Sequence, residues 1–500
     1  MRSFLLIVAF SFSAIIENVA QVIDFKGLPL ETVKTANITI HPSEDEFLLF
    51  PVAGKQVFFA HQTLEGYNNA QNVWEVIMFD SLLQIQAKTK LDFDRNMKVV
   101  GYDFHKGHFL CLSQKSERKN IAQIISWDSG SNEQVMKNLI LPVEISLRYF
   151  ECVGSKLILS GMFEDSYLVL LFDPKSNKYI TLKGFFNNNE KILAIEVDDE
   201  NEYFDVISTK TDAEEDNSLH VSTFDSQGKL LENYAPIMPE GVFLGNIQKT
   251  KSGFHLGEFN SNESISDSEG LYFMNSAGER AVQAYYRFID FDSFFDYLPA
   301  KRREKATAKI EKIKEAGKKN SFSFPYRIAK LWEDDEGLNV LGEKYKVHVV
   351  NRYDHRRMTI FGSIGMQSNF SSPQYNYHLE RQYEYHSLFY VKFDAQGKSI
   401  RECSMPLESF KSHVKGKFSA KAGDYVFFAG EDLIVKNINE RFRDPEKLNM
   451  SSEGASSKFE RIENWDENTV LLYGVVEGEG KKLMNNRDKF FIQLIKNNNY

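Results

Sequence analysis

A short pattern recurs along the chain, and it constrains the fold more than any other feature of the sequence. Each copy has two or three β-forming residues, then an aromatic or large apolar residue, then Asp or Asn. The copies end at Asp80, Asp128, Asp173, Asp225, Asn275 and Asp394. Asp or Asn at the start of a turn accepts a hydrogen bond from the backbone two residues later, so each copy predicts a β-hairpin turn. The first five copies lie roughly 45–52 residues apart, a period typical of β-propeller blades.

A second β-forming run precedes each copy, as at 107–112 and 155–161. Weaker copies at 425–435 and 470–494 raise the count of repeats to seven or eight. The sequence therefore predicts an all-β fold, a single β-propeller of about seven blades within a range of six to eight. We expect the apolar run at 47–50 to close the ring against the C-terminal blade.

Length and composition agree with a propeller. A single compact core rarely exceeds about 300 residues. Each propeller blade packs only on its neighbours, so 500 residues can form one domain. The hydrophobic content of 42 % is sufficient for a large core. The formal net charge of −10 makes nucleic acid a poor candidate for the partner.

Residues 1–20 have the features of a secretory signal peptide. Arg2 precedes an apolar run at 4–16, and Ala20 is a small residue at the expected cleavage position. The run is too short to span a bilayer, although a buried N-terminal strand is the alternative interpretation. The mature chain is then 21–500, which we predict to be exported. The last blade extends to the end of the sequence without a sorting domain, which favours the periplasm over the extracellular space.

The three cysteines, Cys111, Cys152 and Cys403, allow at most one disulfide. Cys111 and Cys152 lie in strand-like surroundings, which favours buried free thiols. Whether two of the three form a disulfide stays open at this stage. Their spacing fits no zinc pattern, and no metal or cofactor is expected.

The repeat is interrupted first at 294–321. Pro299 and Gly317 are suitable residues for the start and the end of a helix, and Lys and Arg dominate the sequence between them. Ala306, Ile310 and Ile313 form a narrow apolar stripe on this helix. The helix either docks on an acidic partner or anionic surface, or packs its stripe across the propeller edge; we favour the second interpretation.

The second interruption, at 346–385, is predicted to be one long loop rich in Tyr, His and Arg. Long loops on a rigid scaffold commonly carry binding sites, and Tyr and Arg are enriched at binding hot spots. The candidate binding residues in and beside it are Glu343, Tyr345, His355, Arg356, Tyr383, Tyr385 and His386.

Residues 294–394 also resemble a group of exported bacterial β-propeller-like proteins of unassigned function. The resemblance includes a Lys-rich helix at 301–319, the stretch Gly-Glu-Lys-Tyr at 342–345, and Tyr-Glu-Tyr-His at 383–386. It ends with the turn Phe-Asp-Ala-Gln-Gly-Lys at 393–398, although the aromatic residue expected after that turn is absent. The resemblance implies a propeller and export, and it implies no particular activity.

The sequence has no nucleophile elbow, no metalloprotease helix motif, no phosphate loop and no dinucleotide fingerprint. We therefore predict a binding or scaffolding module in the cell envelope, with a protein or glycan partner. Two alternatives remain. One is a propeller-type enzyme acting on glycan or peptide, for which Glu343 and His386 are the candidate groups. The other is a component of a larger envelope assembly, docked through the basic helix.

Overall fold

A computed structural model describes most of the chain. The described residues are 22–40, 47–52, 55–63, 72–94, 96–185, 190–211, 217–235, 243–249, 254–260, 267–275, 282–315, 323–352, 378–394, 397–412, 418–430, 432–441, 444–448, 450–451, 457–476 and 488–499. Eight four-stranded antiparallel sheets follow one another along the chain, and each forms one blade of a β-propeller. We name the strands of each blade a to d from the innermost to the outermost.

The first four blades have simple sequential order. Blade 1 contains β3 (Phe47–Val52), β4 (Gln56–Gln62), β5 (Asn72–Asp80) and β6 (Ile85–Phe93). Blade 2 contains β7 (Met97–His105), β8 (His108–Lys115), β9 (Ile121–Asp128) and β10 (Glu133–Ile140). Blade 3 contains β11 (Ser146–Val153), β12 (Lys156–Phe163), β13 (Ser166–Asp173) and β14 (Lys178–Thr181). Blade 4 contains β15 (Glu190–Asp198), β16 (Tyr203–Thr211), β17 (Asn217–Asp225) and β18 (Leu230–Tyr234).

The other four blades include the two insertions and the ring closure. Blade 5 contains β19 (Phe243–Lys249), β20 (Phe254–Asn260), β21 (Gly270–Asn275) and β22 (Val282–Arg287). Blade 6 contains β23 (Tyr326–Asp334), β24 (Gly337–Arg352), β25 (His378–Phe393) and β26 (Ser399–Ser412). Blade 7 contains β27 (Ser419–Ala422), β28 (Tyr425–Ala429), β29 (Leu433–Asn437) and β30 (Glu446–Leu448). Blade 8 contains β32 (Ser457–Asn464), β33 (Thr469–Val476), β34 (Asp488–Asn497) and, outermost, β2 (Leu30–Ile40).

The recurring sequence pattern marks the turn between strands c and d. In blade 1, the Asp80 carboxylate accepts hydrogen bonds from the backbone of Leu82 at 2.9 Å and of Gln84 at 2.8 Å. The aromatic residue before the turn is buried between blades in every copy that has one: Phe79, Trp127, Phe172, Phe224 and Phe393. The hairpin interpretation of the repeat is therefore confirmed.

Two segments from opposite ends of the chain close the ring. Strand β2 pairs with β34 and supplies the outermost strand of blade 8, while β1 (Val22–Ile23) pairs with β31 (Met450–Ser451) beside blade 7. The run at 47–50 is not the closing strand, because it lies in β3, the innermost strand of blade 1. Blades 1 and 8 meet through Phe59 and Phe490, whose ring centroids are 4.5 Å apart.

The number of blades is eight, at the upper edge of the expected range and one more than the preferred value of seven. The weaker copy at 425–435 marks blade 7, whose strands have only three to five residues and therefore leave a weak sequence signal. The outermost strand of blade 8 comes from the N-terminus, far in sequence from the other three strands of that blade. No turn connects it to them, so no turn signature marks it.

The first insertion joins blade 5 to blade 6. It begins with a 3₁₀ turn at Phe288–Asp290 and continues into one helix, α1 (Ala300–Glu315). Ile310 is 8 % exposed and packs with Phe294 and Phe389 in the core between the two blades. The apolar stripe of the helix is thus used for packing on the propeller, at least at Ala306 and Ile310; the side chain of Ile313 lies outside the described residues.

The second insertion differs from its prediction. Instead of one long loop at 346–385, strands β24 and β25 continue into it from both ends and pair as far as Arg352 and His378. Residues such as Val347 and Tyr383 alternate with polar ones, a pattern that suits strands as well as loops. We call the extension formed by 345–352, 378–386 and 407–412 the arm; its tip at 353–377 lies outside the described residues.

All three cysteines are buried and free, as the strand-like surroundings of Cys111 and Cys152 indicated. Burial raises the pKa of the Cys111 thiol to about 12, so this thiol is unreactive at neutral pH. Within the described residues, no helix is long and apolar enough to cross a membrane.

Candidate functional site

The arm contains the two longest strands among the described residues. Its strands β24 and β25 have 16 residues each, whereas the b and c strands of the other blades have between five and ten. Compared with the nine-residue strands b and c of blade 4, the seven additional residues of β24 and β25 correspond to about 23 Å of extended chain. In an up-and-down blade the b–c and d–a connections share one face of the ring, so the arm and the start of the helical insertion both leave the same face.

A buried aromatic cluster anchors the base of the arm. The Tyr345 ring centroid lies 5.8 Å from that of Tyr383 and 6.0 Å from that of Tyr385. Tyr385 also contacts Phe418 and Phe428 of blade 7 at 5.1 and 6.0 Å. Offset and edge-to-face contacts of this kind stabilise the arm on two blades and hold it in one orientation.

Glu343 lies beneath this cluster and is fully buried. Its Oε2 accepts a hydrogen bond from Arg327 Nε at 3.0 Å, and its Oε1 accepts bonds from the backbone of Phe418 and from Ser419 Oγ, both at 2.8 Å. Burial alone lowers the pKa of Arg327, but Glu343 raises it above the usual value, so the guanidinium keeps its charge. Glu343 therefore joins the innermost strand of blade 6 to that of blade 7.

Other blades use the same device, in which a polar side chain of strand b binds the backbone of the next innermost strand. Glu258 of blade 5 accepts a hydrogen bond from the Ile328 amide of blade 6 at 2.5 Å. Gln114 of blade 2 accepts one from the Leu147 amide of blade 3 at 3.2 Å. A backbone amide in a blade interface needs such a partner once it is buried. Glu343 thus belongs to a recurring set of contacts between blades.

The outer part of the arm presents polar and ionisable side chains. His348 Nε2 and Glu384 Oε2 are 2.6 Å apart across the two strands, and both side chains are partly exposed. Burial lowers the pKa of His386, although Glu384 acts in the opposite direction, so this imidazole is neutral at pH 7. The described arm therefore combines a rigid aromatic base with a polar outer part, an arrangement suited to contacts with a partner.

The structure brings most of the predicted binding residues together. Tyr345, Tyr383 and Tyr385 form the aromatic base, and Glu343 and His386 lie on the same hairpin. His355 and Arg356 lie outside the described residues. Arg327 was not anticipated, because it reaches the site from strand a, and only the pairing of β23 with β24 brings it opposite Glu343.

The second surface suited to a ligand is the central channel. The innermost strands contact one another in succession from β7 to β32 and line it. Lys330 of blade 6 and Glu463 of blade 8 form an ion pair of 2.7 Å across the four-residue innermost strand of blade 7. Beside them, Lys421 Nζ lies 5.6 Å from the ring centroid of Trp332.

Blades 2 to 4 give the opposite side of the channel an acidic character. The Glu151 side chain is open to solvent, but the protein packed around it and the neighbouring carboxylates Asp103 and Asp199 raise its pKa to about 7. No basic side chain among the described residues forms an ion pair with Glu151. His105 joins these blades by contacting the Asp199 carboxylate at 3.3 Å and the Gly154 carbonyl oxygen at 2.7 Å. The described part of the chain has no cluster of three or more His, Cys, Asp or Glu able to hold a metal ion.

The raised pKa of Glu151 predicts a pH-dependent effect of Glu151→Gln on stability. In the unfolded chain a glutamate has a pKa near 4.3, so between about pH 4.3 and 7 the folded state holds a proton that the unfolded state has lost. The penalty for ionising Glu151 therefore grows as the pH rises through this range. The variant is expected to melt at a higher temperature than the wild type at pH 8, and at the same temperature at pH 4.

Thermal unfolding followed by circular dichroism at these two pH values measures the effect. Glu133→Gln on the exposed strand β10 is the matched control and should change the melting temperature at neither pH. Equal or lower stability of Glu151→Gln at pH 8 would show that the carboxylate is compensated in the folded protein.

Comparison with known proteins adds no closer identification. No protein-family model matches the chain, and no curated protein sequence matches it. The WD40 domain of SCAP from fission yeast aligns over 94 % of this chain and 98 % of its own, with 8 % identity and a TM-score of 0.47. A quinohemoprotein alcohol dehydrogenase from Pseudomonas putida covers 95 % of this chain and 77 % of its own, with 10 % identity and a TM-score of 0.41. At these values neither similarity supports a functional argument, and the propeller assignment rests on the sheet order.

Proposed function

We propose that this chain is an exported propeller that binds a protein or glycan partner in the cell envelope through the arm. The single observation that carries the proposal is the arm itself. It extends about 23 Å further than the b–c hairpin of blade 4. Its three strands are also fixed to blades 6 and 7 by the aromatic cluster around Tyr385.

Rigidity is what makes the arm suitable for binding. A partner that contacts a preformed hairpin avoids most of the entropic cost of ordering it. Apart from exposed Val347, the described outer residues, among them Lys346, His348 and Glu384, are polar or charged, as expected for the rim of an interface. Tyr and Arg at the sequence positions of the tip, such as Arg356 and Tyr375, provide residue types that often dominate binding energy.

Export is the second part of the proposal, with the periplasm favoured. It is supported by the signal-like segment 1–20, which ends just before the first described strand. Cleavage after Ala20 leaves β1 intact, and it leaves β2 intact as the outermost strand of blade 8. The proposed mature protein can therefore fold as a complete propeller.

A catalytic propeller is the second candidate, and Glu151 is the observation that favours it. A carboxyl group with a pKa of about 7 in a channel is suited to general acid–base catalysis. Glu343 is not suited to this role, because Arg327, Phe418 and Ser419 occupy both of its oxygens. Under this alternative, Glu151→Gln abolishes turnover of a glycan or peptide while shortening the arm does not.

The test of the binding proposal is a shortened arm. Residues 349–381 are replaced by Asn-Gly, a two-residue turn that joins the cross-strand pair His348 and Gln382. This variant keeps the aromatic base and removes the outer part of the arm. Affinity purification from cross-linked cells is expected to recover a specific partner with the wild type and not with the variant.

A matched control separates the arm from the basic helix. In the control, Lys301, Arg302 and Lys305, all exposed on α1, are changed to Glu while the arm stays intact. The binding proposal expects this control to recover the same partner as the wild type. Recovery of the partner by the shortened arm and its loss with the charge-reversed helix would transfer the binding site to the helix.

A further inference from the structure

Lys344 lies where the helical insertion meets the base of the arm. Its ammonium group lies 4.0 Å from the ring centroid of Phe324 and 4.7 Å from that of Tyr297, and it donates a hydrogen bond to the Tyr297 hydroxyl. Tyr297 belongs to the insertion and Phe324 to the short segment that joins it to β23, whereas Lys344 belongs to strand β24. The Lys344 residue is partly exposed.

The surroundings of Lys344 differ from those of Lys392 and Lys330, two other lysines of blade 6. Lys392 has carboxylate partners in Asp334, at 2.9 Å, and Glu336, and Lys330 has one in Glu463. No carboxylate of the described residues forms an ion pair with Lys344. Its ammonium group has therefore lost most of its water in exchange for two ring faces and one phenol oxygen, which compensate a charge only in part.

The titratable groups that face Lys344 do not restore its charge. Tyr297 comes from the insertion, and burial raises its pKa to about 12, so the phenol is neutral at pH 7. His386 comes from the neighbouring strand β25, and burial lowers its pKa, so it too is neutral. Glu343 precedes Lys344 in the chain, but its carboxylate is bound to Arg327. With no carboxylate to oppose it, burial lowers the pKa of Lys344 to about 8.

We propose that Lys344 is a nucleophilic lysine that is selectively acylated by small activated acyl donors of the acyl phosphate class. The neutral amine attacks the carbonyl carbon of the donor, and a C–N bond forms. The bond from that carbon to the phosphate oxygen breaks, and phosphate leaves with the electron pair. The proton of the amine passes to phosphate or water, and the product is an amide.

Two consequences of the geometry favour this reaction at Lys344 over other lysines. About a tenth of a lysine with a pKa of 8 is neutral at pH 7, against roughly 0.04 % of an ordinary lysine. The amide product is also uncharged, so acylation removes a cation from a site that does not compensate it. The same step abolishes the contacts of the cation with Phe324 and Tyr297, and so loosens the insertion from the arm. This proposal does not depend on the proposed binding function.

The test treats the purified full-length mature protein with limiting acetyl phosphate at several pH values between 6 and 10. Peptide mass spectrometry then gives the acetylation rate of each lysine. Lys344 is expected to react at least about ten times faster than exposed Lys301 at pH 7. Its rate should approach a plateau above pH 8, whereas that of Lys301 should still rise. Lys392, which is 4 % exposed and paired with two carboxylates, should stay unmodified.

Two substitutions of Phe324 test whether the lack of a carboxylate partner causes the reactivity of Lys344. Phe324→Glu brings a carboxylate to the amine and is expected to slow acetylation of Lys344 at least tenfold. Phe324→Leu keeps the site apolar without adding a charge and should leave the rate within about threefold. If Phe324→Glu does not fold, the wild-type pH profile and the acetylation rate of Phe324→Leu still test the proposal. A Lys344 rate equal to that of Lys301, or still rising at pH 10, overturns the proposal.

Discussion

Replacing Glu343 with Leu is expected to lower the free energy of unfolding by about 4 kcal/mol. The physical reason is the guanidinium of Arg327, which is 7 % exposed and keeps its charge through Glu343. Without Glu343 this charge remains buried without a counter-ion, and the Phe418 amide and the Ser419 hydroxyl also lose their acceptor. Urea denaturation of the wild type and the variant measures the difference.

A second variant separates the ion pair from the rest of the site. Changing Arg327 to Met together with Glu343→Leu removes both charges, and we expect it to recover at least half of the lost stability. Arg401→Met is the surface control, because its pair with Asp424 is 3.5 Å long and its side chain is 39 % exposed; it should cost about 0.5 kcal/mol or less. If Glu343→Leu unfolds at the same urea concentration as the wild type, the pair does not join blades 6 and 7.

This role of Glu343 could not be read from the sequence. The stretch Gly-Glu-Lys-Tyr at 342–345 shows a carboxylate next to aromatic residues, which also describes a binding site. Its partners come from three other places: Arg327 from the preceding strand, and Phe418 and Ser419 from the next blade. Local sequence carries no information on which distant backbone amide a side chain will contact. A buried structural carboxylate and a binding-site carboxylate therefore have the same local sequence.

The hairpin turns were predictable because the residues that interact in each turn are close together in sequence. An Asp such as Asp225 binds backbone amides two and four residues later, both at 2.9 Å, so the whole interaction lies within one short segment. The ring closure was not predictable, because β2 pairs with β34 from the other end of the chain and no turn connects them. The arm was mistaken for a loop because its alternating Tyr and charged residues suit an exposed hairpin and a polar loop equally.

The charged residues around the channel are unevenly distributed, which the net charge of −10 does not show. Glu151 lies with Asp103 and Asp199 on one side of the channel, whereas on the other side Lys330 is paired with Glu463 and Lys421 lies against Trp332. This distribution is a property of the ring, since the residues concerned come from different blades and have no common sequence motif.

The innermost strands share a second feature that the sequence did not reveal, a β-bulge at about the same height. In five blades a small residue of strand b pairs with the residue just before the bulge: Ser113, Gly161, Ser208, Gly342 and Gly474. A bulge bends the strand and brings its backbone closer to the partner strand. The close approach of the two backbones leaves no room for a larger side chain on strand b. Gly161 of blade 3 is the clearest example.

Gly161→Ala is therefore expected to destabilise the protein by about 3 kcal/mol. An added Cβ would lie 2.7 Å from the carbonyl carbon of Ser146 and 2.8 Å from Leu147 Cα, and closer still to the Ser146 carbonyl oxygen. These are backbone atoms of the innermost strand, so β11 must shift to make room, and with it the contacts of Leu147 with the core of blades 2 and 3. Gly130→Ala is the matched control, because its Cβ would meet only the Asp128 carboxylate at 3.4 Å, and its cost should stay within about 0.5 kcal/mol. Urea denaturation midpoints of the two variants measure the effect. A large loss of stability for Gly161→Ala alone supports a bulge that fixes the innermost strand. Equal midpoints mean that β11 has room to move.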